Sequence, residues 1–199
     1  MARSLRFSAP GLAYHVTQRG NYRQNIFEDE RDKQMYMDCF EDYCLEYGMK
    51  VYAWCLMSNH VHFIVEPEKE DSLSKVFQFT NMRYSHYFNK KKGSKGHLWQ
   101  GRFYSIPLDE EHLYEGIRYV ELNPLRAKMV NYVNEYYWSS SWDRLRGEES
   151  FKLDDFSDHV LIEKEWKDYL QGDCDEEIIK RIRKHTLSGK AIAKTSTLD

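Results

Sequence analysis

Short runs of apolar, β-branched and aromatic residues, separated by turn residues, predict four strands in the chain. The predicted strands cover residues 12–19, 50–56, 60–66 and 101–107, each rich in Val, Tyr, Phe, Ile or other strand-forming residues. The second and third are separated only by Met57, Ser58 and Asn59, a spacing that predicts a hairpin.

Helical spacing of apolar residues predicts three helices between and after these strands. They cover residues 29–47, 72–92 and 110–122; Gly48 ends the first, and Pro124 ends or kinks the last. The resulting order, β-α-β-β-α-β-α, predicts an α+β fold. It is a ferredoxin-like four-stranded antiparallel sheet with helices on one face and one helix added.

The chain after Val130 is less regular. Residues 136–142 are predicted to clasp the domain through their aromatic side chains, and short helices are predicted around residues 163–169 and 175–183. An acidic segment over residues 154–177 precedes an acid-free basic tail over residues 178–198. We therefore expect one main domain over residues 1–142 and a helical extension over residues 143–199.

Composition bounds the class of protein. With 199 residues, 41% of them hydrophobic, the chain can build one compact core. The charged fraction of 31%, the short apolar runs and an N-terminus without a signal-peptide pattern predict a cytoplasmic protein with no membrane partner. The four cysteines have no regular spacing and are expected to be reduced and structural.

A run of positive charge points to a nucleic-acid partner despite the net charge of −3. Residues 72–108 contain no acidic residue but seven basic ones: Lys75, Arg83, Lys90, Lys91, Lys92, Lys95 and Arg102. Such a run can also be an ordinary solvated helix face. Aromatic residues interleaved with it favour strand binding, since bases stack on aromatic rings while cations follow the phosphates.

Two histidines of the third strand form a candidate metal site. His60 and His62 stand at positions i and i+2, so alternation places both imidazoles on one face, about 6.5 to 7 Å apart along the strand. Such a pair, completed by oxygen ligands, could hold Mg²⁺ or Mn²⁺. It can equally be two ordinary histidines on a polar sheet face.

The third helix offers a candidate nucleophile and a further ligand. Tyr119 and Asn123 are four residues apart and project from the same helical face. The phenol could be a nucleophile and the amide oxygen a metal ligand. Taken alone, Tyr119 is one of 15 tyrosines, most of which serve the core or interfaces.

Several blocks together resemble the HUH single-tyrosine transposases, and most closely the REP-associated tyrosine transposases. The blocks, in chain order within residues 1–142, are YHVTQRGN (14–21), CLMSNHVH (55–62), YSHYFN (84–89), HLWQGRF (97–103), RYVELNPLR (118–126) and WSS (138–140). The resemblance implies the same ferredoxin-like plan. It also implies that His60, His62 and Asn123 bind a divalent metal and that Tyr119 is the nucleophile.

The resemblance further implies metal-dependent cleavage and strand transfer of single-stranded DNA, beside a hairpin, through a 5′-phosphotyrosine intermediate. The residues expected to contact the DNA are Arg19, Arg23, Arg83, Lys90, Lys91, Lys92, Lys95, Arg102 and Arg118. The protein could act as a monomer or a homodimer. Two alternatives stay open: an inactive or domesticated relative that binds structured nucleic acid without cutting it, and a metal-binding regulatory module with no nucleic-acid partner.

Overall fold

The computed structural model describes residues 8–156 and 166–171. Four strands and six α-helices are found in these ranges: β1 (Ala13–Arg19), α1 (Glu30–Tyr47), β2 (Met49–Met57), β3 (His60–Pro67), α2 (Ser72–Lys92), β4 (Tyr104–Leu108), α3 (Glu110–Glu121), α4 (Asn123–Arg126), α5 (Ser140–Arg146) and α6 (Trp166–Gln171). Within the described residues, no helix is long and apolar enough to span a lipid bilayer.

The strands form one antiparallel sheet in the order β2-β3-β1-β4. This is the strand order of the ferredoxin-like fold, so the predicted fold class is confirmed. The first strand in sequence lies next to the third, with Arg19 opposite His60 and Thr17 opposite His62. The start of the chain therefore borders the strand that carries the two histidines.

Helix α1 shows how local sequence sets the element bounds. Asp29 caps its N-terminus, because the side-chain carboxylate accepts a hydrogen bond from the backbone N–H of Asp32 at 3.0 Å. Gly48 ends it in the left-handed conformation with φ of 74°, where a side chain would be strained. The predicted glycine stop is confirmed.

The sheet has an apolar cluster on each face. Val61, Phe63 and Val65 of β3 pack with helices α1 and α2, and the intervening Ile64 packs on the other face with Leu113, Ile117 and Val120 of α3. The two helices of the ferredoxin-like unit thus share one face, as predicted. The added helix α3 covers the opposite face, the one to which His60 and His62 belong by alternation.

The outer edge of β2 is covered by later parts of the chain. The backbone N–H groups of Trp54 and Leu56 donate to the Ser140 hydroxyl at 3.1 Å and to the Trp138 carbonyl at 3.0 Å. Farther along, Val51 accepts from the backbone N–H of Asp154 at 2.9 Å and donates to its carboxylate at 2.8 Å. The predicted clasp over residues 136–142 therefore works through backbone pairing as well as through aromatic packing.

Two element bounds differ from the sequence expectation. Strand β4 begins at Tyr104 rather than at residue 101, because Gly101 accepts a hydrogen bond from the Gln18 side chain at 2.9 Å and Phe103 is buried in the core. Helix α3 ends at Glu121, and the chain restarts as α4 with Pro124 in its first turn. Pro124 therefore ends the helix as predicted.

The C-terminal part is described only partly. Phe151 packs with the α1–α2 face and Phe156 with the α3 face of the sheet, while α6 falls where a short helix is predicted. The predicted helix over residues 175–183 and the basic tail lie outside the described residues. The boundary between residues 142 and 143 stays a prediction. Cys39, Cys44 and Cys55 are buried free thiols.

Candidate active site

The two histidines of β3 lie at its start, on the face covered by α3. Val61 between them points into the opposite core. The imidazole rings of His60 and His62 have centroids 4.9 Å apart at an interplanar angle of 77°. His62 is buried and His60 is half-buried. The pair therefore combines an enclosed imidazole with one nearer to solvent.

The orientation of the His60 ring is fixed through Asn59. The Asn59 amide nitrogen donates to the carbonyl of Arg23 at 3.1 Å, which turns its amide oxygen toward His60 Nδ1, 2.6 Å away. An amide oxygen can only accept, so Nδ1 carries the proton. The Nε2 atom of neutral His60 then keeps its lone pair for a metal.

His62 has a comparable partner that sequence reasoning did not assign to the site. Its Nδ1 lies 3.0 Å from Nε2 of His15, and the two rings are nearly parallel, with centroids 5.2 Å apart. His15 is 1% exposed. If His62 Nδ1 donates in this bond, the Nε2 atoms of both strand histidines are available to one ion.

Burial keeps all three imidazoles neutral near neutral pH. Desolvation, with the positive charge of Arg19, lowers the pKa of His60 to about 4. Desolvation, with the charge of Arg126, lowers the pKa of His15 to about 3. The pKa of His62 is lowered well below its usual value, first by burial and then by the neighbouring His60 and His15. Neutral imidazoles are the form that binds metals.

Helix α3 brings Tyr119 to the same place. Close packing of this helix on the sheet depends on Gly116, since a Cβ there would lie 2.8 Å from Cδ1 of Leu108. The Tyr119 ring meets His62 and His15 edge to face, with centroid distances of 5.9 and 5.7 Å. Tyr119 is 7% exposed. The structure therefore brings the predicted nucleophile to the predicted metal-binding histidines.

Asn123 follows Tyr119 at the first residue of α4. Its amide nitrogen donates to the carbonyls of Tyr119 at 3.1 Å and Val120 at 3.3 Å. The amide nitrogen is thus turned to the helix backbone, and the side-chain oxygen is the atom left for a metal. Among the residues that the structure describes, no three His, Cys, Asp or Glu side chains are grouped to hold an ion. His15 does not add a third ligand, because it contacts Nδ1 of His62, whereas an ion shared with His60 would be bound through Nε2.

Arg126 is a second residue that sequence reasoning missed. Its guanidinium carbon lies 4.3 Å from the Tyr119 ring centroid, and an NH2 group donates to the Tyr119 carbonyl. Its charge also contributes to the lowered pKa values of His15 and His62. The available signal was its position at the end of the block RYVELNPLR (118–126), seven residues after Tyr119. The site therefore contains a cation beside the tyrosine ring.

The predicted DNA-contacting residues fall into two groups. Lys91 pairs with Asp29 and Asp32, Lys92 with Glu28, and Arg83 with Asp42, all at 2.7 to 2.8 Å. Arg118 is 3% exposed and its guanidinium lies over the Tyr169 ring. The others are accessible: Arg19 is half-buried, and Arg23, Lys90, Lys95 and Arg102 are exposed.

The aromatic residues interleaved with the basic run mostly serve the core. Tyr84, Phe88 and Phe103 are buried in the cluster under α1 and α2. Tyr104 is 43% exposed. The aromatic residues that are interleaved with the basic run, and that suggested base stacking, therefore mostly form the inner face of α2 and the packing before β4.

A ferredoxin-like sheet with a histidine pair that faces a helix tyrosine is the arrangement expected of a single-tyrosine HUH transposase. The family model described as "Transposase IS200 like" matches residues 8–123, more than half of the chain. The chain therefore belongs to the IS200-like transposase family.

Two solved structures resemble this chain at low identity. A REP-associated tyrosine transposase bound to a REP hairpin has 20% identity and a TM-score of 0.58, with 82% of this chain and 100% of that chain covered. A transposase from Deinococcus radiodurans R1 has 18% identity and a TM-score of 0.42, with 67% and 96% covered. The first likeness shows a shared fold. The comparison with curated proteins found no match.

Proposed function

We propose that this protein cuts single-stranded DNA beside a hairpin and rejoins it through a transient bond between Tyr119 and a 5′ phosphate. The observation that supports this most directly is the 5.9 Å approach of the Tyr119 and His62 rings, from a helix and a strand remote in sequence. Membership of a transposase family supports the class of reaction. The hairpin is suggested by the DNA bound to the structural relative.

Tyr119 acts as the nucleophile in this proposal. Its hydroxyl oxygen forms a bond to the scissile phosphorus while the bond from phosphorus to the 3′ oxygen breaks. The phenol loses its proton, and the leaving 3′ oxygen gains one to become a hydroxyl. Because the phosphodiester energy is kept in the phosphotyrosine bond, attack by a 3′-hydroxyl reverses the step and joins strands without ATP.

His60 and His62 are proposed to hold a divalent ion through their Nε2 atoms, with the Asn123 amide oxygen as a third ligand. The residues fit this role, since both imidazoles are kept neutral and the His60 lone pair is directed by Asn59. When bound there, Mg²⁺ or Mn²⁺ supplies Lewis-acid polarisation and orientation of the scissile phosphate.

Arg126 is proposed to stabilise the reacting phosphate. Its guanidinium lies beside the Tyr119 ring, held by the Tyr119 carbonyl. A fixed cation near the attacked phosphorus opposes the negative charge that grows on the phosphate oxygens as the bond forms. Arginine suits this position because its planar group binds two phosphate oxygens at once.

The DNA strand is proposed to follow the accessible basic residues. Arg19 ends β1 opposite His60, Arg23 lies in the loop that follows, and Lys90, Lys95 and Arg102 are exposed. Lys91, Lys92, Arg83 and Arg118 are retained as phosphate contacts in this proposal. They would first have to exchange their present partners for phosphate oxygens.

The decisive experiment incubates the full-length protein with a set of hairpin oligonucleotides that carry single-stranded flanks, in Mn²⁺ or Mg²⁺. Denaturing electrophoresis and intact mass should reveal a protein–DNA adduct that disappears with chelator and with Tyr119→Phe. Tyr132→Phe is a matched control, because Tyr132 is 68% exposed and lies outside the site. Its adduct yield should equal that of the wild type.

Other outcomes would favour the alternatives. Binding that survives chelation without any adduct would indicate a relative that recognises structured nucleic acid but does not cut it. Metal binding without salt-sensitive binding to any oligonucleotide would indicate a metal-binding module. An adduct that persists in Tyr119→Phe would reassign the nucleophile.

A further inference from the structure

The loop that follows β1 has a strained backbone. Tyr22 and Arg23 are consecutive non-glycine residues in the left-handed region, with φ values of 50° and 60°. Residues with a Cβ rarely adopt this conformation, and two in succession persist only where the surroundings impose it. Such strain is found at functional sites more often than in ordinary surface turns.

The surroundings do impose the loop conformation. The backbone N–H of Asn21 donates to the Leu98 carbonyl at 2.8 Å, and the Gln24 side chain donates to the same carbonyl at 3.1 Å. On the other side, Gly20 donates to the carbonyl of Asn59 at 2.9 Å, and the Asn59 side chain donates to that of Arg23. The loop is therefore a rigid support fixed to the turn that precedes His60.

This rigid support presents an aromatic ring to solvent. Tyr22 is 93% exposed, the highest value among the large apolar side chains of the described residues. Its neighbours Arg23, Gln24 and Asn25 are also exposed. A single ring among polar and cationic residues is not the continuous apolar patch of a protein-docking surface. It has the composition of a platform on which one base stacks while a cation meets the adjoining phosphate.

We propose that Tyr22 is a stacking platform for an unpaired base of the DNA strand, close to the scissile phosphate, with Arg23 contacting the adjoining backbone. This inference rests on the proposed function and adds a binding subsite to it. The hydrogen bonds through Asn59 place the loop that carries Tyr22 next to the turn before His60. A base held there would align the strand across the site before Tyr119 attacks.

The test measures binding of a hairpin oligonucleotide with a short single-stranded flank, in chelator so that no cleavage occurs. A matched set replaces each flank nucleotide in turn by an abasic one, which keeps the charge and removes one base. Wild type should lose affinity about 5- to 100-fold at one flank position, the range expected for one stacked base. Tyr22→Ala should bind the intact oligonucleotide that much more weakly and be insensitive to the same abasic position.

Two further variants separate stacking from folding. Tyr22→Phe keeps the ring and should bind like wild type. Tyr22→Gly removes the ring and relieves the positive φ, so its melting temperature should equal or exceed that of the wild type while its affinity falls as in Tyr22→Ala. Leu45→Ala is a surface control, because Leu45 is exposed and lies near the end of α1, far from His60 along the sheet. The strand that follows it, β2, starts opposite Pro67 and reaches His60 only at its last residue, Met57.

The outcomes distinguish this inference from the proposed function. If wild type forms the covalent adduct but Tyr22→Ala and Tyr22→Gly bind every oligonucleotide like wild type, the platform is wrong and the proposed function stands. The same holds if the abasic profile is identical in all variants. If wild type binds none of the oligonucleotides, the proposed function and the platform fall together.

Discussion

Asn59 connects the strained loop to the histidine pair. One amide group both donates to the Arg23 carbonyl and accepts from His60 Nδ1. The conformation of a loop thereby determines which nitrogen of a proposed ligand keeps its lone pair. Partners of this kind hold ligand rings in place, and their loss typically weakens metal binding.

Asn59→Ala should therefore weaken binding of Mn²⁺ about 10- to 100-fold, because His60 loses the acceptor that fixes its ring. Calorimetric titration of metal-free protein measures the effect without DNA. Asn59→Asp keeps an acceptor beside Nδ1 and should bind the ion at least as tightly as wild type. Equal affinities for wild type and Asn59→Ala would show that this hydrogen bond does not prepare a ligand.

Arg126→Ala should slow adduct formation about 100- to 1000-fold, the usual effect of removing one group that stabilises a transition state. The single-turnover rate with a cleavable hairpin measures this, and the affinity for Mn²⁺ should not fall. Arg126→Lys keeps the charge without the planar group and should be intermediate. A rate in Arg126→Ala equal to that of wild type would remove Arg126 from the mechanism.

The sequence predicted His60 and His62 because strand alternation and a family block both point to them, and Tyr119 because a family block and its helical spacing from Asn123 do. It did not identify His15, since a histidine on β1 acquires meaning only when β1 is known to lie beside β3. Arg126 is likewise inconspicuous, because arginines near a helix end are common surface residues. Both residues stand within family blocks of the sequence, but their place in the site depends on tertiary neighbours that no local pattern specifies.

The end of helix α3 is anchored by a buried carboxylate. Glu121 is fully buried and accepts hydrogen bonds from Ser140 at 2.7 Å, Arg144 at 3.0 Å and Trp166 at 2.7 Å. These donors come from α5 and α6. The C-terminal helices thus fix the end of the helix that carries Tyr119, although they contribute no residue assigned to the site.

Glu121→Gln should lower the free energy of unfolding by about 3 kcal/mol, because Arg144 would keep a largely buried charge without its counterion. Urea denaturation measures the change. Asp42→Asn removes a partner from the exposed Arg83 pair and should have little effect, as expected for surface ion pairs. If both variants lower the free energy of unfolding by a similar small amount, the buried pair between Glu121 and Arg144 contributes no more to stability than a surface ion pair.

At the scale of elements, runs of strand-forming residues located the four strands of the described part of the chain, and helical periodicity located the three long helices, all to within a few residues. It could not say that α3 covers the face opposite α1 and α2, because an amphipathic helix has one apolar stripe and no information on which sheet face receives it. The start of β4 was predicted at residue 101 instead of Tyr104 for a similar reason. Phe103 is apolar because it enters the core, not because it belongs to a strand.

The surface around α2 is less positive than the basic run alone suggests. Residues 72–108 contain no acid, yet α1 and the segment before it lie alongside α2 and supply Glu28, Asp29, Asp32 and Asp42 to its cations. Much of the apparent positive surface is thereby neutralised. In the proposed function, the cations that remain accessible to a phosphate backbone are Arg19, Arg23, Lys90, Lys95 and Arg102.

Metal-free protein should lose stability as the pH falls from about 6.5 toward 4. Burial lowers the pKa values of His15, His60 and His62 below the unfolded value of about 6.5, so the unfolded chain takes up protons first. Their contribution is complete above pH 6.5 and is lost below it. At pH 5 the loss amounts to about 2 kcal/mol each for His15 and His60.

Urea denaturation at several pH values measures this dependence. His15→Phe removes one buried imidazole and should have a shallower loss of stability between pH 6.5 and 5, while the surface variant His86→Gln should follow wild type. A pH dependence unchanged in His15→Phe would mean that this ring is hydrated or charged in the folded protein. Besides burial, the positive charges of Arg19 and Arg126 contribute to the lowered pKa values of these histidines.

Both outer strands of the sheet, β2 and β4, are poorly suited to pair with a strand of another copy. On β2, the peptide groups of Val51, Trp54 and Leu56 are already satisfied by the chain's own C-terminal half. On the other outer strand, Pro107 lacks the N–H that an incoming strand would need. These features disfavour pairing of two copies edge to edge through the described strands, which lowers the tendency of concentrated protein to form fibrils.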